Sequence, residues 1–220
     1  PCIELAPVDF ASRGALSENS LAKSCGLALG KREHILTTKQ LNTIDGKTGQ
    51  VLDDIYAIGD VAQITDYVTG NETAVPLAGP ANRQGRLAAD HINDTDIEYP
   101  GALGSSVVKV FDLTAACTGN NERQLKAKGL NYRAVHAHPA NHATYYPGWT
   151  QIAMKLLFNP ENGKVYGAQA VGREGTEKRI DVIATAIKFG GTIWDLTELE
   201  LCYAPPFSSA KDPVNMLGYI

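Results

Sequence analysis

The stretch with the clearest chemical potential is Gly59-Asp60, which directly follows the apolar residues 55–58. A continuous apolar run predicts a buried, parallel strand, and open α/β sheets bind ligands beyond the carboxyl ends of such strands. An Asp at that point can accept hydrogen bonds from sugar-like hydroxyl groups, and Gly59 leaves room for a ligand to approach. The alternative that stays open is that Asp60 is only an N-cap or a turn residue.

A second candidate feature lies some twenty residues further on, in the sequence PLAGPANRQGR. Pro80 suits a first helical turn, so we predict a helix over residues 80–91. The N-terminus of a helix offers free backbone N–H groups and the positive end of the helix dipole. An Asp for hydroxyls and a helix N-terminus for an electron-rich ring edge are complementary parts of one flavin site. The expected FAD contacts are Gly59, Asp60, Leu77, Ala78 and Gly79.

The pattern of helices and strands around these residues predicts the α/β (α+β) class. It also predicts two domains, 1–98 and 99–220. The first would be an α/β segment, which the resemblance described below likens to part of an FAD/NAD(P)-binding domain. The second reads as β-α-β-β-β-α, an antiparallel sheet covered by helices on one side. It contains a helix that begins at Asn120 or Asn121, a hairpin around the turn NPENG and a helix with an apolar face. That face comprises Ile180, Ile183, Ala184 and Ile187.

Composition excludes several kinds of partner. The net charge of −4 provides no basic surface for nucleic acid or an anionic membrane, and no apolar run approaches the roughly 20 residues that span a bilayer. Four cysteines without a CxxC pair suit reduced thiols in a cytoplasmic protein. His136, His138 and His142 form an H-x-H-x₃-H pattern, but no Cys lies near them and the acids are distant in sequence. We therefore expect no metal.

Three motifs resemble the pyridine nucleotide-disulfide oxidoreductases. IYAIGDVA with PLAGPANRQGRLAADHI is similar to their second FAD-contacting segment, and ENSLAKSCGLALG resembles the stretch that closes their NAD(P)H domain. The tail YAPPFSSAKDPVNMLGY resembles the coenzyme A-disulfide reductase branch, which shares YAPPFS with NADH oxidases and peroxidases. The resemblance covers the chain from about Ser17 to its end. It implies an FAD- and NAD(P)H-dependent flavoenzyme, Asp60 on the ribityl chain of FAD, and a homodimer formed through residues 99–220.

The same resemblance implies roles for four polar side chains. Tyr145 and Tyr203 would reach the partner subunit's active site and donate to a departing coenzyme A thiolate, with Tyr203 also near the cofactor. Tyr146 is the alternative to Tyr145, and either tyrosine could instead be a packing residue. Asn82 and Lys211 match substrate contacts, although Lys211 could equally be a solvated surface residue.

Parts of the family pattern are absent from the sequence. There is no G-x-G-x-x-G loop, and none of the four cysteines matches the family's redox-active cysteine. We therefore expect the chain to be the carboxyl-terminal part of an enzyme and to be inactive alone. Two alternatives stay open: an NADH oxidase or peroxidase, which would need no coenzyme A pocket, and a non-catalytic dimerisation module that binds no flavin.

Overall fold

The structure is a computed structural model that describes residues 18–220. Cys2 and the start of the expected 1–98 domain lie outside the described residues. The described chain divides into two compact units, and the division falls between Gly104 and Ser105. The expected limits, 1–98 and 99–220, put the boundary at the start of a connector over residues 99–105. Tyr99 and Ala102 lie in the core of the first unit, so the connector belongs to that unit.

The first unit combines short strands with one long helix. Strands β1 and β4 pair in parallel, β4 and β5 pair antiparallel, and β2 and β3 form a separate antiparallel ribbon. The elements of residues 18–104 are α1 Ser20–Ser24, β1 Ile35–Leu36, β2 Asn42–Ile44, β3 Val51–Tyr56, β4 Ala62–Thr65, β5 Glu72–Thr73 and α2 Ala78–Ile92.

The prediction of a buried parallel strand over residues 55–58 is wrong. The regular strand ends at Tyr56 and pairs antiparallel with β2. Asp45 accepts hydrogen bonds from the Lys47 and Thr48 N–H groups at 2.9 and 2.7 Å and so builds a tight turn between the two strands. A turn of this length can only join antiparallel neighbours. Ile55 is therefore on an open ribbon and is 44% exposed.

Helix α2 agrees with its prediction and extends it by two residues at the N-terminus and one at the C-terminus. Its apolar face places Leu87 and Ala88 against Leu41 and Ala62 in the core of the first unit. Ile92 is exposed at the end of the helix. The helix is therefore held at its middle, and its N-terminal turn lies beside the Gly59 turn.

The second unit is built on a five-stranded antiparallel sheet in the order β6-β7-β10-β9-β8. Its elements are β6 Ser106–Val110, β7 Leu113–Gly119, α3 Glu122–Ala127, β8 Arg133–Ala137, β9 Ala153–Phe158, β10 Val165–Gly172, α4 Thr176–Lys188, α5 Ile193–Glu198 and α6 Pro213–Tyr219.

The predicted order β-α-β-β-β-α is found with one more strand before α3 and further helices after α4. The first predicted strand is a hairpin, because Phe111 adopts φ +51° and turns the chain back between β6 and β7. Helix α6 was not predicted, since its seven residues are too few for a periodic pattern. The N-cap of α3 is Asn121, which forms a capping box with Gln124.

Helices cover the sheet as expected. Helix α4 packs on β7 and β10, α6 packs on β8 and α4, and α5 packs on α6. Ile180, Ile183 and Ile187 of α4 are buried, as the apolar face predicts, while Ala184 is half-buried. Among residues 18–220, no helix has both the length and the apolar character that crossing a membrane requires.

Candidate functional site

The Gly59-Asp60 pair lies in a single 3₁₀ turn that leads from the ribbon into β4. Gly59 adopts φ +73°, a left-handed conformation that favours glycine. Its N–H donates to the Gln84 Oε1 of α2 at 2.6 Å. Asp60 is exposed at the middle of this turn, so its carboxylate lies at the surface beside the N-terminal half of α2.

Gln84 is the residue that joins this turn to the helix, and sequence reasoning missed it. It is only 1% exposed and its side chain also hydrogen-bonds the Tyr99 hydroxyl. Burial raises the pKa of Tyr99, so its phenol stays neutral beside the amide. The signal in the sequence was that Gln84 lies three positions before Leu87 and four before Ala88. A polar residue therefore stands within the apolar stripe of α2.

The N-terminus of α2 suits an electron-rich ligand. Leu77 occupies the N-cap position and makes no side-chain cap hydrogen bond. Ala78 and Gly79 are exposed, and a Cβ added to Gly79 would meet no atom within 4 Å. The first turn is therefore open and carries N–H donors that no side chain caps. Together with the Asp60 carboxylate, these residues fit FAD. Asn82, one turn further along α2, is also exposed.

The second unit brings Tyr145 and Tyr203 together, although 58 residues separate them in the chain. Their hydroxyl oxygens lie 2.8 Å apart, and the side chains remain 72% and 48% exposed. The hydrogen bond with Tyr203, followed by partial desolvation, raises the pKa of Tyr145. Tyr146 does not join the pair, because its ring packs edge-on against His142 with centroids 5.8 Å apart.

Lys211 lies in the same carboxyl-terminal segment as Tyr203. It is exposed, and its Nζ lies 4.6 Å from the centroid of the Tyr219 ring. This cation–π contact orients the ammonium group without neutralising it. The neighbouring Asp212 caps α6 through a 3.0 Å hydrogen bond from the Val214 N–H, which fixes the backbone next to Lys211.

The histidine pattern does not converge. His136 and His138 are exposed at β8, whereas His142 is buried. Within residues 18–220 no group of three His, Cys, Asp or Glu side chains is arranged to hold a metal ion. Cys25, Cys117 and Cys202 are all free thiols.

With this geometry described, comparison with known proteins identifies the family. Residues 105–213 match the family model for the "Pyridine nucleotide-disulphide oxidoreductase, dimerisation domain". The chain belongs to the pyridine nucleotide-disulphide oxidoreductase family, and its second unit is the family's dimerisation domain. The resemblance drawn from the sequence motifs is confirmed.

Three relatives narrow the comparison. A coenzyme A disulfide reductase of Staphylococcus aureus (strain bovine RF122 / ET3-1) is 39% identical over 186 residues, which are 84% of this chain and 42% of the reductase. The structure of reduced Bacillus anthracis CoADR-RHD is 54% identical with a TM-score of 0.88, covering 94% of this chain and 36% of that one. The structure of an NAD-dependent persulfide reductase from A. fulgidus is 38% identical with a TM-score of 0.86, covering 94% of this chain and 37% of that one.

The chain therefore spans about two fifths of the length of these relatives. A further solved structure with this fold, at 28% identity and a TM-score of 0.73, is an FAD-dependent pyridine nucleotide-disulphide oxidoreductase from Desulfovibrio vulgaris. FAD and a pyridine nucleotide are thus cofactors of the family.

Proposed function

We propose that the full-length protein to which these residues belong is an FAD-dependent NAD(P)H:coenzyme A-disulfide reductase. The observation that carries the proposal is the contact between Tyr145 and Tyr203, two exposed hydroxyls 2.8 Å apart in the dimerisation domain. When two phenols hydrogen-bond to each other, one hydroxyl donates its proton and the other accepts it. The proton of the accepting hydroxyl remains free to point at a ligand, so the pair provides one outward donor.

Disulfide reduction needs such a donor. When a thiolate attacks one sulfur of a disulfide, the other sulfur leaves as a thiolate and carries the negative charge. A phenol has a pKa of about 10 and a thiol one of about 8.5, so near neutral pH the phenol keeps its proton and stabilises the leaving thiolate by a hydrogen bond. The raised pKa of Tyr145 strengthens this preference for donation over full transfer. The pair of Tyr145 and Tyr203 is thus proposed to supply one electrostatic donor to the leaving sulfur.

Lys211 supports coenzyme A as the leaving group. Coenzyme A carries three phosphates, and an exposed ammonium beside a tyrosine ring can bind one of them as a point charge. Asn82 is proposed as a second contact, to the polar pantetheine arm. A substrate without phosphates, such as oxygen or peroxide, has no use for Lys211.

The first unit is proposed to hold FAD. Asp60 would accept from the ribityl hydroxyls, and the first turn of α2 at Leu77, Ala78 and Gly79 would donate backbone N–H groups to the flavin ring. When bound, FAD carries two electrons from NAD(P)H toward the disulfide. The proposed assembly is a homodimer through residues 99–220, and the free thiols suit the cytoplasm.

The proposal is tested by separating charge recognition from disulfide chemistry in the full-length protein. Lys211→Gln is compared with Lys109→Gln, which removes the same charge from the exposed strand β6. The substrates are coenzyme A disulfide and pantethine, which has the same disulfide arms without the nucleotide phosphates. We expect Lys211→Gln to raise KM for coenzyme A disulfide about tenfold and to leave pantethine turnover unchanged.

Other outcomes select the alternatives. NAD(P)H oxidation that needs oxygen or peroxide, with no disulfide turnover, would favour the oxidase or peroxidase. A full-length protein without flavin would favour the non-catalytic dimerisation module.

A further inference from the structure

The tyrosine pair is held by two segments that are distant in the chain. The tyrosine loop, residues 141–150, carries Tyr145 and is closed by two 2.8 Å hydrogen bonds between Asn141 and Thr150. The tail segment, residues 203–212, carries Tyr203 and Lys211. The Ala143 N–H donates to the Pro205 carbonyl at 3.2 Å, which joins the two segments weakly at one point. Neither segment is a helix or a strand, so their alignment needs another support.

Arg179 of α4 lies under both segments. It is 2% exposed, and its Nη2 lies 2.9 Å from the Asn141 carbonyl at the neck of the tyrosine loop. The same Nη2 reaches three acceptors of the tail segment: the Phe207 carbonyl at 3.4 Å, the Ser208 Oγ at 3.3 Å and the Asp212 Oδ2 at 3.2 Å. One guanidinium nitrogen therefore contacts both segments.

The charge of this guanidinium is compensated within the same cluster. A buried cation is tolerated only where a counter-charge and hydrogen-bond acceptors surround it. Asp212 supplies the charge, Ser208 donates to the same Oδ2 at 2.6 Å, and the Arg179 Nη1 donates to the Gly175 carbonyl at 3.0 Å. Asp212 also caps α6, so moving Arg179 would disturb the backbone beside Lys211.

We propose that Arg179 is a positioning residue that holds Tyr145 and Tyr203 at hydrogen-bonding distance by fixing the tyrosine loop to the tail segment. A lysine cannot replace it, because one ammonium nitrogen cannot lie both where Nη2 contacts the two segments and where Nη1 donates to the Gly175 carbonyl. The consequence for turnover rests on the proposed function, whereas the consequence for the tyrosine pair does not.

The first test therefore measures the ionisation of Tyr145 directly. Arg179→Lys is compared with Arg173→Lys, the same change in an exposed ion pair with Asp112 at 3.2 Å. In the full-length protein labelled with ¹³C-tyrosine, Tyr145 should titrate at lower pH in Arg179→Lys, as in Tyr203→Phe, and should be unchanged in Arg173→Lys. A folded Arg179→Lys variant whose Tyr145 titrates as in the wild type would overturn the proposal.

Asp212→Asn is the second variant, for the case in which Arg179→Lys does not fold. Asn preserves the N-cap of α6 while removing the counter-charge of Arg179. The titration of Tyr145 should shift in the same direction. No shift in a folded Asp212→Asn protein would overturn the proposal as well.

The second test separates positioning from general stability. Arg179→Lys should lower kcat for coenzyme A disulfide about tenfold in the wild-type background, and less than about twofold when both tyrosines are phenylalanine. Equal losses in the two backgrounds would make Arg179 a structural residue only. If Tyr203→Phe alone keeps full turnover, the proposed donor role of the tyrosine pair fails, and the titration still decides the role of Arg179.

Discussion

At the scale of single residues, the site depends on the hydrogen bond between two phenols. Tyr145 and Tyr203 are both accessible, and their hydrogen bond raises the pKa of Tyr145. A raised pKa keeps this phenol protonated over a wider range of pH, so the pair remains a hydrogen-bond donor through neutral and mildly alkaline conditions. This is the state that a leaving thiolate requires.

The pH dependence of Tyr145 has a definite sign. The folded protein holds the Tyr145 proton more tightly than the unfolded chain, so this contribution to stability is complete below the unfolded pKa of about 10. It is lost as the pH rises through the higher folded pKa. In Tyr203→Phe the main cause of the shift is gone, so Tyr145 should ionise at lower pH. The ¹³C-tyrosine titration measures this for Tyr145 itself, and an unchanged titration would contradict it.

Asp60 provides the corresponding prediction for the first unit. If its carboxylate accepts the ribityl hydroxyls, Asp60→Ala should lower the flavin content of the purified full-length protein severalfold. Asp54→Ala is the control, because Asp54 is an exposed carboxylate on the neighbouring strand β3. Flavin absorbance near 450 nm per polypeptide is the measurement. Equal flavin content in both variants would remove Asp60 from the site.

Some residues of the site could be predicted from the sequence, and others could not. Tyr203 and Lys211 belong to the quoted tail motif, and Tyr145 was implied by the family resemblance, so all three could be named in advance. Gln84 and Arg179 could not, because each is a polar residue inside an apolar helical stripe whose partners lie on distant segments. Such a residue signals a buried hydrogen bond, and only the fold reveals its acceptor.

At the scale of elements, α2 combines a rigid middle with an open end. Leu87 and Ala88 bury its middle, Gln84 holds the Gly59 turn, and the first turn has no side-chain cap. An uncapped N-terminus costs stability, since capping contributes about 1 kcal/mol. The uncapped turn is therefore consistent with an end that serves a ligand.

Gly79→Asp should separate the stability of α2 from its capacity to bind flavin. An acid in the first turn interacts favourably with the helix dipole by about 0.3–1 kcal/mol, and a Cβ at this position meets no atom within 4 Å. The flavin-free protein should therefore unfold at the same or a slightly higher temperature. Flavin retention should fall, because a carboxylate would occupy the ligand's place. A loss of thermal stability without any loss of flavin would contradict this prediction.

Local patterns predicted some elements well and others badly. The β9–β10 hairpin, the Asn121 cap and the buried face of α4 follow from turn chemistry and periodicity, and all are present. The apolar residues 55–58 misled the strand assignment, because an apolar run does not indicate which strand will pair with it. The Phe111 turn was missed since a non-glycine residue with positive φ has no strong sequence signal.

At the scale of the whole molecule, the dimerisation domain predicts a homodimer. Exposed aromatic side chains lie close in sequence to the two tyrosines, among them Trp149 and Phe207. Apolar surface of this kind favours association when a partner covers it. Tyr145 and Tyr203 would then act on a substrate bound by the partner subunit.

The oligomeric prediction is direct. The full-length protein should sediment at twice its polypeptide mass across micromolar concentrations. Phe111→Asp, at the exposed β6–β7 turn, tests whether that turn lies in the interface: dissociation would place it there, and a retained dimer would exclude it. A wild-type protein that is monomeric at all concentrations would contradict the homodimer.

The central claim is the reduction of coenzyme A disulfide, and product stoichiometry tests it most directly. The full-length protein is incubated anaerobically with NAD(P)H and coenzyme A disulfide, and free thiols are titrated. The expected result is two coenzyme A thiols released for each NAD(P)H oxidised, with no requirement for oxygen or peroxide. Oxidation of NAD(P)H that requires oxygen or peroxide and releases no thiol would contradict it.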